Sequence, residues 1–231
     1  MSKAMVVLSG GQDSTICLYW ALINYKEVKA ISFNYGQKHN IELDSAKKIA
    51  KMANVEHTII NVPDILKSRS PLTNKNEQLE EYKNYEQMDK IIGDRVELTF
   101  VPMRNAFFLT LSANIALSYD IKTLVTGVCQ QDNANYPDCR ETFIASQENT
   151  INFALGIYDF KIETPLMLLS KKDSIMLATK IKGCMDALAY SHTCYAGVYP
   201  PCGKCHACVL RAQGFKEAGI EDPLIVRSKN V

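Results

Sequence analysis

The sequence predicts an α/β fold: a doubly wound, mainly parallel sheet of five strands, followed by a cysteine-rich helical extension. Three observations carry that prediction. Strand-like apolar runs alternate with helical stripes as far as Ile181, the pattern of βαβ units with right-handed crossovers. A Ser9-Gly10-Gly11-Gln12-Asp13-Ser14 turn joins the first apolar run to the first helix. Four cysteines, Cys194, Cys202, Cys205 and Cys208, crowd into 15 residues near the C-terminal end.

The elements follow in order. Residues 4–8 are wholly apolar and read as the first strand, and residues 14–23 as an apolar helix. Residues 28–33 form the second strand; Ile41, Ala46, Ile49, Ala50 and Ala53 then give a helical stripe, and residues 57–62 the third strand. Residues 105–119 are a nearly all-apolar helix, 123–127 the fourth strand, 141–155 a helix, and 161–164 a short fifth strand. Ser170 with Asp173 is a capping box opening a helix to Ile181. Two segments break the alternation. Residues 63–97 are polar, charged and too long for an ordinary connection, which reads as a solvated insertion, an oligomer contact or a mobile cover. The other is the tail, so the expected division is an α/β domain over 1–183 and a cysteine-rich region over 184–231, which the motifs below read as ATP-binding and metal-binding.

The first turn carries the chemistry. A glycine-rich strand-to-helix turn offers backbone N–H groups and the positive end of a helix dipole, which suits a polyphosphate. Gly10 and Gly11 are expected to let the backbone approach phosphate and to adopt positive φ where needed. Ser9, Ser14 and Thr15 bring hydroxyls; Asp13, too acidic to touch phosphate, is expected to contact Mg²⁺ or to cap the helix. The turn lacks the Gly-Lys-Ser/Thr of a Walker A loop and the Gly-x-Gly-x-x-Gly of a dinucleotide fingerprint. It resembles the PP-loop of the ATP pyrophosphatases, which split ATP between the α and β phosphates and make adenylates. An ordinary strand–turn–helix link is the alternative.

With 231 residues the chain has length for a real core, and a net charge of +1 argues against a large basic surface for nucleic acid. No apolar run reaches the length of a membrane span, and no signal-type region opens the chain, so a soluble cytoplasmic protein is expected. In that compartment eight cysteines point to metal or reactive thiols before disulfides. The two x2 spacings of Cys202, Cys205 and Cys208 let their sulfurs face one centre with Cys194. Four thiolates close a tetrahedral Zn²⁺ shell without an open position, so the zinc is read as structural. It would pin Cys194 and a helix over 205–218 to the main domain, with Lys204, Arg211 and His192 offsetting the thiolate charge. An iron–sulfur cluster and a redox pair are the alternatives. Cys17 reads as core, while Cys129 and Cys139 are either reactive thiols or small buried side chains.

The loop after the fourth strand, residues 126–140, is dense in hydrogen-bonding groups. Asp132 and Asp138 suit the amino and ring N–H groups of a purine-like base, Tyr136 its face, and Gln130, Gln131 or Asn135 its carbonyl. A polar surface loop, with Asp138 capping the next helix, fits the residues as well.

The chain as a whole resembles the 7-cyano-7-deazaguanine synthases, PP-loop enzymes of queuosine-precursor synthesis. The matching segments are Ser9 to Thr15, Asn34-Tyr35-Gly36-Gln37-Lys38-His39, Val101-Pro102-Met103-Arg104-Asn105, Thr126-Gly127-Val128-Cys129 and Tyr136-Pro137-Asp138-Cys139-Arg140. They continue with Thr164-Pro165-Leu166, Leu169-Ser170-Lys171 and the four-cysteine tail. Met103 stands where that family more often has glycine. The resemblance implies conversion of 7-carboxy-7-deazaguanine, ammonia and ATP to the 7-nitrile, through adenylated carboxylate and amide. It implies that Leu8, Ser9, Gly10, Gly11, Gln12, Asp13, Ser14, Thr15, Ile16, Cys17 and Leu18 hold ATP, with Mg²⁺ bridging its phosphates. Asp13, Arg104 and Lys171 become the catalytic candidates, the two cations neutralising phosphate or carboxylate or else being plain surface charges. Gly127, Asp132, Tyr136 and Asp138 become the substrate-binding set; backbone after Phe33 would read adenine, and Lys38 and His39 either reach phosphate or form a solvated turn. No general base stands out beyond Asp132 or water. Free ammonia is the expected nitrogen source, with no nucleic acid or membrane partner and a homodimer allowed. The rivals are another PP-loop adenylating enzyme, for tRNA thiolation or amidation, and a zinc-stabilised nucleic-acid-binding module.

Overall fold

The computed structural model describes residues 2–37, 41–62, 66–74, 76–131 and 134–229. Five strands, β1 (Lys3–Val7), β2 (Glu27–Asn34), β3 (Glu56–Asn61), β4 (Thr123–Val125) and β5 (Lys161–Glu163), form one sheet in the order β3-β2-β1-β4-β5. Every pairing is parallel. The order reverses between β1 and β4, where a doubly wound sheet opens a crevice at its carboxyl edge.

Side chains alternate across this sheet as a period of two demands. Ala4, Val6, Leu8, Ala30 and Val125 point to one face and pack with α1 (Gln12–Asn24), α2 (Ile41–Met52), α6 (Lys171–Thr179) and α7 (Cys184–Leu188). Met5, Ile31, Phe33, Leu124 and Ile162 point to the other and meet α4 (Arg104–Leu117) and α5 (Glu141–Leu155). Ser170 caps α6 as expected, accepting from the Asp173 N–H at 3.1 Å, while its own hydroxyl donates to the Asp173 carboxylate at 2.6 Å.

The described part of the 63–97 segment packs on the tail. It contains α3 (Tyr85–Ile92), and Tyr82, Met88 and Ile92 bury against Val209 and Leu210 of α8 (His206–Ala218). The signal was a capping box: Asn84 accepts from the Gln87 N–H, and Gln87 accepts from the Lys83 N–H. A second short helix, α9 (Pro223–Ser228), starts at a cap by Asp222 followed by proline. Nor is there a break in packing at residue 183, because Cys184, Ala187, Leu188 and Phe215 share one apolar cluster with α1. No helix among the described residues is long and apolar enough to cross a membrane.

Candidate active site

The turn after β1 is held by its own side chains. Ser9 Oγ accepts from the Gly11 N–H at 3.2 Å and meets Ser14 Oγ at 3.0 Å, while the Thr15 hydroxyl donates to the Gly11 carbonyl at 2.7 Å. Those hydroxyls shape the turn, and the backbone N–H groups of the first turn of α1 are what it presents. Gly10 alone takes a positive φ, +89°. A Cβ there would lie 2.1 Å from the Glu42 carbonyl oxygen, so Gly10 is bare because α2 packs on it. Gly11 is the N-cap of α1 at φ −79°, and Asp13 is the second residue of its first turn. Ile16, Cys17 and Leu18 are fully buried in the core and offer no surface to a ligand; burial also pushes the Cys17 thiol up.

A cavity of about 280 Å³ opens where the sheet order reverses. The turn contributes Leu8, Ser9, Gly11, Gln12, Asp13 and Ser14, and the segment after β4 contributes Thr126 to Cys129. A Cβ on Gly127 would lie 2.9 Å from the backbone of Asp13 and Ser14, so glycine lets these two loops touch. Phe33 and Phe108, stacked 4.3 Å apart with a 6° interplanar angle, make an apolar wall below the end of β2. Tyr136 lines the cavity, its ring 5.6 Å from Phe100 and its hydroxyl donating to Glu97 at 3.2 Å.

Arg104 lines this cavity, and Lys171 reaches its edge through Asp13. Burial opposes the Arg104 charge, but the hydroxyls of Tyr35, Tyr136 and Tyr195 and the Asp138 carboxylate outweigh it and hold its pKa up. The residue before it, Met103, adopts the left-handed conformation at φ 65°, which accounts for glycine being favoured there. Lys171 Nζ lies 2.6 Å from Asp13 Oδ2, both side chains being largely buried. It is placed by close helix packing, since a Cβ on Gly214 of α8 would come within 2.7 Å of the Lys171 Cβ.

Asp138 does not line the cavity and does not cap α5, whose N-cap Arg140 has no side-chain bond. It turns instead to α4, accepting the Asn105 N–H at 3.4 Å, and its pKa is raised by burial. Asp132, Lys38 and His39 lie outside the described residues. Cys129 donates to the Leu169 carbonyl at 3.2 Å, and both Cys129 and Cys139 border the cavity.

Glu42, Thr193 and Tyr195 line the cavity as well and were not singled out from sequence. Glu42 arrives with α2 under Gly10, and the tail brings Thr193 and Tyr195, anchored by the His192 N–H on the Gly10 carbonyl at 2.8 Å. Burial lifts the Glu42 pKa from 4.5 to about 7, against the pull of His192 and Arg104. A raised carboxylate pKa stabilises the fold fully below pH 4.5 and loses that contribution as pH rises through 7. Glu42→Gln should therefore match the unaltered protein near pH 4.5 and exceed its stability by about 1–3 kcal/mol at pH 8. Urea unfolding at the two pH values checks this; equal stabilities at pH 8 would contradict it.

Behind the cavity, the sulfurs of Cys194, Cys202, Cys205 and Cys208 all lie within 4.8 Å of one another. The Cys202 and Cys208 sulfurs are 3.9 Å apart, close to the roughly 3.8 Å edge of a tetrahedron with 2.3 Å metal–sulfur bonds. Backbone N–H groups of Cys202 and Cys205 point at cysteine sulfurs at 3.4 Å. Without a cation these thiols compete: hydrogen bonds from Cys205 and Cys208 hold Cys194 down, and the Cys194 sulfur pushes Cys205 up to about 12. One divalent ion would remove that conflict, so the residues fit a closed metal site. Of the expected charge partners, His192 bonds Cys194 and Lys204 feels the charge of Cys202. Arg211 is committed to Asp222 at 2.6 Å and Lys204 to Glu81 at 2.7 Å.

The fold and the cleft define a doubly wound parallel α/β protein with a glycine turn at the switch point of its sheet. Over 99% of its length the chain superposes on 53% of a 4-thiouridine synthetase, solved as an RNA complex with bound ATP, at 15% identity and a TM-score of 0.51. A predicted tRNA methyltransferase subunit from Methanocaldococcus jannaschii superposes at a TM-score of 0.50 and 18% identity, over 78% of this chain and 76% of that one. Residues 3–219 match the family of queuosine biosynthesis protein QueC, and the chain belongs to that family. A 7-cyano-7-deazaguanine synthase of Laribacter hongkongensis is 49% identical over 99% of this chain and 96% of its own. The synthase of that name from Chromobacterium violaceum is 46% identical over 97% and 94%.

Proposed function

We propose that the chain is an ATP-dependent carbon–nitrogen ligase that makes 7-cyano-7-deazaguanine from 7-carboxy-7-deazaguanine and ammonia. The observation that carries this reading is the one cleft in which the glycine turn after β1 meets the loop after β4, in a chain of this family. A carboxylate is a poor electrophile, so its oxygen attacks the α-phosphorus of ATP and pyrophosphate leaves. Ammonia then forms the C–N bond as the C–O bond to AMP breaks, giving the amide and a proton. A second adenylation, on the amide oxygen, lets AMP carry that oxygen away while the nitrogen gives up its last two protons to leave the nitrile.

The protein's part is positioning and charge neutralisation. In this reading residues 8–15 cradle the phosphates, chiefly by backbone N–H groups, with Asp13 placed to hold Mg²⁺. Arg104 and Lys171 offset phosphate and carboxylate charge, while Gly127 and Tyr136 border the deazaguanine; Asp138 supports it only through α4. The four cysteines hold a structural zinc. The enzyme works in the cytoplasm on free small molecules rather than nucleic acid, and a homodimer is its proposed assembly. Purified protein given Mg-ATP, ammonium and 7-carboxy-7-deazaguanine should yield a product with the nitrile's mass. Absence of both nitrile and amide, from metal-loaded protein, would sink the reading.

A further inference from the structure

A second, smaller cavity of about 80 Å³ lies beside the first, closed on its far side by α8. The two share Gln12, Asp13, Tyr136, Thr193 and Tyr195, so these residues form the partition between them. On the same scale the smaller space is under a third of the first, so it suits a ligand of very few heavy atoms. Gln12 is 2% exposed and borders both cavities, yet neither its Oε1 nor its Nε2 has a hydrogen-bond partner among the described residues. A buried amide left without partners costs about 1–3 kcal/mol, which a small polar ligand would recover.

The charges around the cavity select the form of that ligand. Lys171 is matched to Asp13 and Arg211 to Asp222, so no carboxylate is left over to neutralise a bound cation. We infer that this cavity is the site where neutral ammonia waits, held by the Gln12 side chain behind the partition from the carbon it attacks. This rests on the ligase reading above. The Gln12 carbonyl accepts an N–H of ammonia, which leaves the lone pair free for the activated carbon.

The test is steady-state kinetics with ammonium varied at saturating Mg-ATP and 7-carboxy-7-deazaguanine. Gln12→Leu keeps the backbone N–H that faces phosphate and should raise KM for ammonium about tenfold, the loss expected for one hydrogen bond. Ala134→Val, which narrows the cavity without touching the turn assigned to ATP, should raise KM for ammonium in the same way and leave KM for ATP, and kcat at saturating ammonium, little changed; it decides the matter if Gln12→Leu fails to fold. An unchanged KM for ammonium in the folded variants, or a KM for ATP that rises in step with it in Ala134→Val, overturns the inference while the ligase reading stands. If the unaltered protein forms neither amide nor nitrile, the reading falls and the inference with it.

Discussion

Asp13→Asn is expected to lower turnover by about 10³-fold while leaving the fold intact, the scale of losing one preorganised charged group at a reacting centre. Asp13 lies in the first turn of α1, facing the cavity, with the Lys171 ammonium 2.6 Å from its Oδ2. The amide keeps the shape but loses the charge that pairs with Lys171 and that a metal on the phosphates would need. Little of the core depends on it, because the hydroxyls of Ser9, Ser14 and Thr15 hold the turn together. Initial rates with saturating substrates, alongside a thermal melt, separate the two effects. Near-normal turnover by a folded variant would remove Asp13 from the machinery.

If the four cysteines hold the zinc proposed above, Cys205→Ser is expected to release it and to lower Tm by roughly 10 °C. The basis is a loss of about 4 kcal/mol in a chain of this size, well below what a structural zinc contributes in small domains. Cys205 is both a member of the sulfur cluster and the N-cap of α8. That helix packs on α3 and α6, and its Arg211 is buried, tied to Asp222, Ser191 and Thr193. Freed from the cluster, α8 would loosen its grip on Lys171 through Gly214 and withdraw Tyr195 from the cavity wall. Activity should fall along with metal content. Metal analysis and melts of the variant and of chelator-treated protein check this; an unchanged Tm after metal loss would show that packing alone holds the tail.

Much of the scaffold was legible in the chain because its signals are local. The apolar runs at the sheet centre, the capping box at Ser170 and the long apolar stretch after Arg104 each describe one element within a few residues. The glycine turn was legible for the same reason, although the packing of Gly10 against Glu42 and Ala46 was not. The helix α3 was missed because charged neighbours masked a capping box written with Asn84 and Gln87. Asp138 was misjudged since a carboxylate before a helix reads as its cap, whereas here the preceding helix takes it.

By itself, then, the sequence determined the parallel sheet, the phosphate-type turn and the set of four cysteines, since periodicity, turn chemistry and ligand spacing are properties of short segments. Only the tertiary structure decided which distant side chains meet at the turn: Glu42 from α2, Arg104 from α4, and Thr193 and Tyr195 from the tail line the cleft, and Lys171 from α6 pairs with Asp13 beside it. Those meetings depend on how helices seat against bare glycines at positions 10, 127 and 214. The fit is made by close packing between elements far apart in the chain, and no local pattern encodes it.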